Sequence, residues 1–211
     1  SGVSLYSLAI GYIQGGQPYI PMASIVNAII DGGANTNSPI QSTYKKFGLD
    51  IMNHSYGDFT PYPGNNLING AIRFAFRNGV TNVAARGNKK NNTNSAPQYP
   101  ACLDDHLILN VGGTDANGDW WNESSTKGAA IGHGIDVAAP AQQQDPASGV
   151  DQIYSTTAGS PNSVIDSYAT FGATSAATPH VTGIAALLHS YVNQEDRKST
   201  RLNSVTWPSR M

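Results

Sequence analysis

The chain has 211 residues, of which 39% are hydrophobic and only 12% are charged, and its formal net charge is −2. A chain of this length can bury the core of one globular domain. Its mild acidity gives no basic surface for nucleic acid, and no apolar run approaches the ~20 residues that a membrane span needs. We therefore expect a monomer with no nucleic-acid partner and no membrane span.

The chain contains a single cysteine, Cys102, which cannot form an internal disulfide. No group of cysteine and histidine residues has the spacing of metal ligands, so we expect no metal site and no cofactor. Because no histidine motif accompanies Cys102, we interpret it as a small buried or half-buried side chain rather than a catalytic thiol.

The first third of the chain predicts a strand, a loop and a helix. Residues 4–10 form an apolar run typical of a strand, and residues 11–18 have the composition of a loop. Apolar residues at helical spacing then predict a helix over residues 20–30. Asp31 follows this pattern directly, and we interpret it as a residue at the helix end.

A strand, a helix and a second strand follow over residues 49–88. Residues 49–57 are apolar and end in the polar Ser55-Tyr56-Gly57, residues 66–77 are amphipathic, and residues 80–85 are apolar again and lead into Arg86, Gly87 and Asn88. This order predicts a βαβ unit, hence a parallel sheet with functional residues at the carboxyl ends of its strands. Further strands are predicted over residues 107–113 and 152–156.

A serine stands at the start of the most apolar helix that the sequence predicts. Residues 176–188 are small or apolar almost all round, which is typical of a helix covered on every face. Pro179 lacks an N–H and suits a first turn, so the helix should begin at about Ser175. Unpaired N–H groups there can receive an oxyanion while the Ser175 hydroxyl attacks a carbonyl. The alternative is that Ser175 only caps the helix.

This segment resembles the Gly-Thr-Ser-x-Ala-x-Pro-His-Val nucleophile segment of the subtilisin-like serine proteases, the subtilases. The matching residues are Thr174, Ser175, Ala177, Pro179, His180 and Val181, whereas Ala173 replaces the glycine. The segments at residues 55–57, 84–88, 99–101 and 134–140 also resemble subtilase segments, in the family's order. The resemblance extends from Ser1 to about Gln194.

The resemblance implies a three-layer α/β fold with a mostly parallel sheet and a serine endopeptidase that acts on peptides or proteins. In this family Ser175 would be the nucleophile, and the Asn88 amide with the Ser175 N–H would hold the oxyanion. Two strand-like edges would flank the substrate and pair with it. One edge is Ser55, Tyr56 and Gly57, and the other is Ala85, Arg86 and Gly87. The resemblance also implies a secreted or cell-surface protein. Family members often bind calcium, but no acidic loop here resembles such a site.

The histidine and aspartate motifs of the family are not found in this chain. None of His54, His106, His133, His180 and His189 stands in a His-Gly-Thr context, and we expect His54 to belong to its strand and His180 to its helix. A serine needs a base that a carboxylate orients. Both family motifs precede the region that matches, so we expect residues 1–195 to be a partial catalytic domain, cut off at its N-terminal side and inactive alone.

Residues 196–211 have no helical or strand periodicity and closely resemble a translated sequencing adapter. We therefore predict that they are a non-native tail and exclude them from the fold.

Two other functions remain open. One is a catalytically inactive subtilase that serves as a binding or surface module, which the replacement at Ala173 favours. The other is an esterase or lipase, but its nucleophile elbow needs Gly-x-Ser-x-Gly, and residues 173–177 lack both glycines. Arg86 stands where the family has a small residue; it either faces solvent, the alternative that we favour, or attracts an acidic or polar side chain near the pocket.

Overall fold

The structure, a computed structural model, describes residues 3–34, 48–57, 65–88, 98–103, 107–124, 127–131, 134–142, 153–157 and 167–205. Its helices are α1 (Met22–Gly33), α2 (Asn65–Arg77) and α3 (Thr174–Val205). Its strands are β1 (Tyr12–Gln14), β2 (Gln17–Tyr19), β3 (Ile51–His54), β4 (Thr81–Ala85), β5 (Ile108–Thr114), β6 (Val137–Pro140), β7 (Tyr154–Thr157) and β8 (Ser167–Thr170).

The central sheet contains four strands in the order β3-β4-β5-β6. All three neighbouring pairs are parallel, with Ile51 opposite Thr81, Asn82 opposite Ile108, and Val111 opposite Val137. The prediction of a parallel sheet is thus confirmed. Its consequence is that the residues after β3 and after β4 lie at the same edge of the sheet. We call residues 55–57 the β3 end and residues 85–87 the β4 end.

Helices cover both faces of this sheet, which gives the predicted three layers. On one face α1 and α2 pack closely, because a Cβ built on Gly33 would lie 2.8 Å from the Cα of Ala75. Their core includes Ile29, Ile72 and Ile108. On the other face α3 contributes Ala177 and Val181 to a second core, which also contains Val83, Val111 and Trp121. The start of α3 is therefore fixed over the middle of the sheet.

The N-terminal residues differ from the prediction. Residues 4–10 form no strand, because no neighbouring strand pairs with them in the described structure, and the Leu5 side chain is 94% exposed. The predicted loop over residues 11–18 instead contains the antiparallel hairpin of β1 and β2. Gly15 and Gly16 have φ values of 60° and 78°. Two glycines with positive φ are typical of a two-residue hairpin turn, a signal that was present in the sequence.

The prediction that residues 176–188 are covered on every face is wrong from Ile184 onward. Exposed apolar side chains follow the buried first turns: Ile184, Leu187, Leu188, Tyr191 and Val192 are 55–66% exposed. The described residues leave these five side chains largely uncovered. The helix also continues through Asp196 to Val205, since extending a formed helix needs no new nucleus. Within the described ranges, no helix combines the length and the apolarity that a bilayer crossing requires.

Candidate active site

The backbone turns sharply just before Ser175. Ala173 has a φ of 70°, and its N–H donates to the Ala141 carbonyl at 2.7 Å. Its own carbonyl accepts from the Ala176 N–H at 2.9 Å, which closes the first turn of α3. The helix begins at Thr174, one residue before the predicted start. The left-handed backbone is one that glycine adopts freely and alanine does not. Ala173 nevertheless adopts this turn, which places Ser175 in the first turn of α3.

Asn88 is held in one orientation by the residue before the serine. Its Oδ1 accepts from the Thr174 N–H at 3.0 Å and from the Thr174 hydroxyl at 2.9 Å. Thr174 is fully buried, so these bonds are shielded from water. Because both donors use Oδ1, the NH₂ group of Asn88 lies on the opposite side of its amide. Thr174 is a positioning residue that the sequence analysis named only as a motif match.

Two N–H donors are available beside Ser175. Within the described part of the chain, neither the Asn88 Nδ2 nor the Ser175 backbone N–H has an acceptor. The Ser175 N–H belongs to the first turn of α3, where helical N–H groups lack partners and carry partial positive charge. Both features suit the binding of an oxyanion.

The Ser175 side chain joins α3 to the β3 end. Its hydroxyl donates to the Ser55 carbonyl at 3.1 Å. A second link runs through polar side chains, since Asn53 Nδ2 donates to Ser55 Oγ at 2.8 Å and Thr182 Oγ1 lies 3.0 Å from Asn53 Oδ1. The sequence analysis missed Asn53 and Thr182. Polar residues in an apolar strand and helix were the signal that could have found them.

The histidines in the described residues do not contact Ser175. His54 is buried in β3, with Nδ1 2.8 Å from the Tyr56 hydroxyl and Nε2 3.1 Å from Asn82 Oδ1. Burial lowers the pKa of His54 to about 4, so it is neutral at pH 7. His180 instead approaches the Ala176 carbonyl at 2.7 Å. The predicted positions of His54 in its strand and His180 in its helix are confirmed, whereas His106 and His133 lie outside the described residues.

The two substrate edges differ in their free backbone groups. At the β3 end, the Ser55 carbonyl accepts a hydrogen bond from the Ser175 hydroxyl. The other backbone groups of residues 55–57 have no hydrogen-bond partner in the described structure. At the β4 end, the Arg86 N–H, the Arg86 carbonyl and the Gly87 carbonyl bond with Val111, Gln98 and Ala130. The described structure thus leaves more backbone groups open to a peptide strand at the β3 end than at the β4 end.

The favoured prediction that Arg86 faces solvent is wrong, because this residue is only 2% exposed. Its Nη2 donates to the Ile131 carbonyl at 3.3 Å, and its Nε has no hydrogen-bond partner among the described residues. Burial lowers the pKa of Arg86 and raises that of the nearby Cys102 thiol. Cys102 is half-buried, as predicted. Arg86 alternates with Val83 along β4, so its side chain lies on the face of the sheet opposite α3.

Acidic and histidine side chains do not form a cluster of three or more in the described ranges that could hold a metal ion.

The fold and these contacts define the class of the site: a serine at a helix start and, bonded to the residue before it, an oriented asparagine amide that follows a strand of a parallel sheet. The chain belongs to the subtilase family, peptidase S8, whose sequence model matches residues 2–207. The family is one of serine proteases, so the chain carries the framework of a hydrolase.

Individual relatives agree with the family. The chain is 38% identical to thermitase of Thermoactinomyces vulgaris over 175 residues, which are 81% of this chain and 53% of thermitase. It is 29% identical to subtilisin DY of Bacillus licheniformis, over 78% of this chain and 53% of that protein. The chain thus spans about half the length of these relatives. Among solved structures, sphericase is similar with a TM-score of 0.50 and 25% identity, over 77% of this chain and 47% of sphericase.

Proposed function

We propose that this chain is part of the catalytic domain of a serine endopeptidase in which Ser175 is the nucleophile. The observation that carries the proposal is the pair of bonds from Thr174 to Asn88 Oδ1, at 3.0 and 2.9 Å, which fix the Asn88 amide with its NH₂ group turned away from Thr174. An asparagine that served only as a turn residue would not need its amide fixed in this way.

The proposed reaction is acyl transfer to Ser175. The Ser175 Oγ attacks the peptide carbonyl carbon, and the Asn88 NH₂ and the Ser175 N–H donate to the oxygen that becomes negative. A base takes the hydroxyl proton and returns it to the leaving amine, which releases one half of the peptide; water then hydrolyses the acyl-enzyme. In this structure the Ser175 hydroxyl donates to the Ser55 carbonyl, a neutral acceptor that cannot act as this base.

We further propose that the histidine and aspartate of the triad come from polypeptide outside these 211 residues. Two observations support this: the described histidines engage other groups, and the matched relatives are about twice as long as the matched region. The chain alone is then inactive or nearly so. In the same proposal the whole protein is a secreted or cell-surface monomer, its substrate is a peptide or protein, and residues 196–211 are a non-native tail.

The peptide would bind in extended form along the β3 end. Free backbone groups at Tyr56 and Gly57 can add a peptide strand by β-augmentation. The buried Tyr56 hydroxyl is held by His54, so Tyr56 contributes its backbone rather than its side chain. Ala85, Arg86 and Gly87 would form the opposite wall.

The alternative of an inactive binding module loses its main support, since Ala173 adopts the same left-handed turn that a glycine would take. The test is hydrolysis of a denatured protein substrate by the 211-residue chain and by the same chain extended with its upstream coding sequence. We expect activity only in the extended protein and its loss in Ser175→Ala. Equal hydrolysis by the Ser175→Ala variant would overturn the proposal.

A further inference from the structure

The last residue of β3, His54, joins β4 to the β3 end through both of its ring nitrogens. Its Nε2 lies 3.1 Å from Asn82 Oδ1, and its Nδ1 lies 2.8 Å from the Tyr56 hydroxyl. Asn82 donates through its Nδ2 to the Val80 carbonyl, and its Oδ1 can only accept. The proton of the neutral ring is therefore on Nε2, and Nδ1 accepts from the Tyr56 O–H. His54 and Asn82 are 3% and 1% exposed, so the bond between them is shielded from water.

The rings of His54 and Tyr56 also contact each other. Residues two apart in an extended chain point to the same side. The two rings meet edge to face, with centroids 5.6 Å apart and an angle of 85° between their planes. Burial raises the pKa of Tyr56, so its hydroxyl stays protonated and can donate to His54. The recorded ring contact and the recorded hydrogen bond of Tyr56 are thus both made with His54.

Few hydrogen bonds hold the β3 end beyond Ser55. Ser55 itself is bonded through its carbonyl to Ser175 and through its hydroxyl to a side chain of β3. Among the described residues, the one hydrogen bond of residues 56–57 is that from the Tyr56 hydroxyl to His54. The bond from Ser175 must break when its hydroxyl attacks a peptide. The bond to His54 is then the one that fixes the part of the edge with which a peptide strand would pair.

We propose that His54 is a positioning residue, which holds the β3 end in the extended form that a peptide strand needs by accepting the Tyr56 O–H. The inference rests on the proposed function, in which a peptide binds along this edge. A strand that adds to an edge bonds to backbone groups spaced along it, so an edge that must first be ordered binds it more weakly. His54 acts here through Tyr56 and touches neither the peptide nor Ser175.

The described side chains that face His54 include no carboxylate, lysine or arginine. β4 presents Asn82, and the β3 end presents Tyr56. On its remaining side His54 borders a cavity of about 420 Å³, to which the N-terminal segment contributes Tyr6 and α1 contributes Ile29. Burial lowers the pKa of His54 to about 4. Its Nδ1 is therefore an acceptor at pH 7 and loses this role only as the pH falls through about 4.

The experiment measures peptide binding, because the 211-residue chain is not expected to turn a substrate over. Isothermal titration would use an acetylated and amidated pentapeptide of alternating valine and alanine, which has no titratable group and favours the extended form. His54→Gln keeps both roles, since its amide can donate to Asn82 and accept from Tyr56. His54→Leu removes both roles, and Tyr56→Phe removes the hydroxyl alone and retains the ring. Tyr12→Phe is the matched control, since Tyr12 is exposed in the hairpin.

We expect His54→Leu and Tyr56→Phe to weaken peptide binding at pH 7 by about 3–10-fold, as expected for one lost hydrogen bond. His54→Gln and Tyr12→Phe should bind within about 2-fold of the wild type. The wild-type affinity should stay constant from pH 7 to 5 and be about half as large at pH 4, where His54 is half protonated, whereas His54→Gln should not show this fall.

Unchanged binding in Tyr56→Phe would overturn the positioning role of His54 and leave the proposed function intact. A difference between the wild type and His54→Gln that is centred near pH 6.5 would also overturn it, because that is the pKa of a histidine free of this network. Failure of the wild-type chain to bind the peptide would overturn the proposed docking along the β3 end, and the inference with it.

Discussion

The left-handed backbone at Ala173 should make Ala173→Gly a stabilising substitution. An alanine in this region costs about 1–2 kcal/mol relative to its ordinary conformations, and its φ is 70°. Glycine removes this cost but loses the packing energy of a partly buried methyl group, since Ala173 packs against the core beneath α3. A fully buried CH₂ is worth about 0.8 kcal/mol, and the more flexible unfolded glycine chain costs about 0.4–1 kcal/mol. The expected gain is about 0.5 kcal/mol.

Urea unfolding measures this change, because a shift in midpoint at constant slope reports stability alone. The thermal midpoint should rise by about 1–2 °C, as expected for a chain of this size. Ala176→Gly is the matched control: Ala176 is 1% exposed inside α3, so the same substitution should lose about 1 kcal/mol or more. If both substitutions lowered the midpoint equally, the strain that we assign to Ala173 would be absent.

Three further outcomes follow from the buried polar groups. The pKa of His54 is about 4 in the folded chain and 6.5 in the unfolded chain, so between these pH values the unfolded chain binds a proton that the folded chain does not. The free energy of unfolding should therefore fall by about 3 kcal/mol as the pH drops from 6.5 to 4. Urea midpoints at both pH values should show this loss, and His54→Gln should remove that share of the pH dependence. Asn82→Ala should cost about 2 kcal/mol at pH 7 in the same assay, since it leaves the buried His54 Nε2 without its acceptor; a loss below about 0.5 kcal/mol would contradict the assigned bond. Arg86→Met should leave the free energy of unfolding within about 1 kcal/mol of the wild type or raise it, because the described residues give the buried guanidinium one hydrogen bond and leave its Nε without a partner. A much larger loss in the urea assay would contradict this expectation.

The sequence predicted the helices and the parallel strands well because their patterns are local. The apolar periodicity of α1 and α2 and the continuous apolar run of β4 depend only on which faces are buried. Ser175 and Asn88 could be named because both stand in specific motifs at element ends.

Features that depend on distant partners could not be predicted in the same way. Residues 4–10 carry a strand pattern, but a strand forms only where another strand pairs with it. The apolar residues Ile184, Leu187 and Leu188 indicated burial, whereas the described structure leaves them exposed. Arg86 is charged and was expected in solvent, yet its place on β4 directs it into the protein.

The central claim is that Ser175 attacks a carbonyl whose oxygen Asn88 receives. Its most direct test is the rate of peptide hydrolysis by the protein extended with its upstream coding sequence, compared with its Ser175→Ala and Asn88→Ala variants. The account predicts no acyl transfer in Ser175→Ala and a loss of ~10²–10³ in rate for Asn88→Ala, the magnitude known for the equivalent donor of subtilisin. An unchanged rate in the Ser175→Ala variant, or in the Asn88→Ala variant, would contradict this claim.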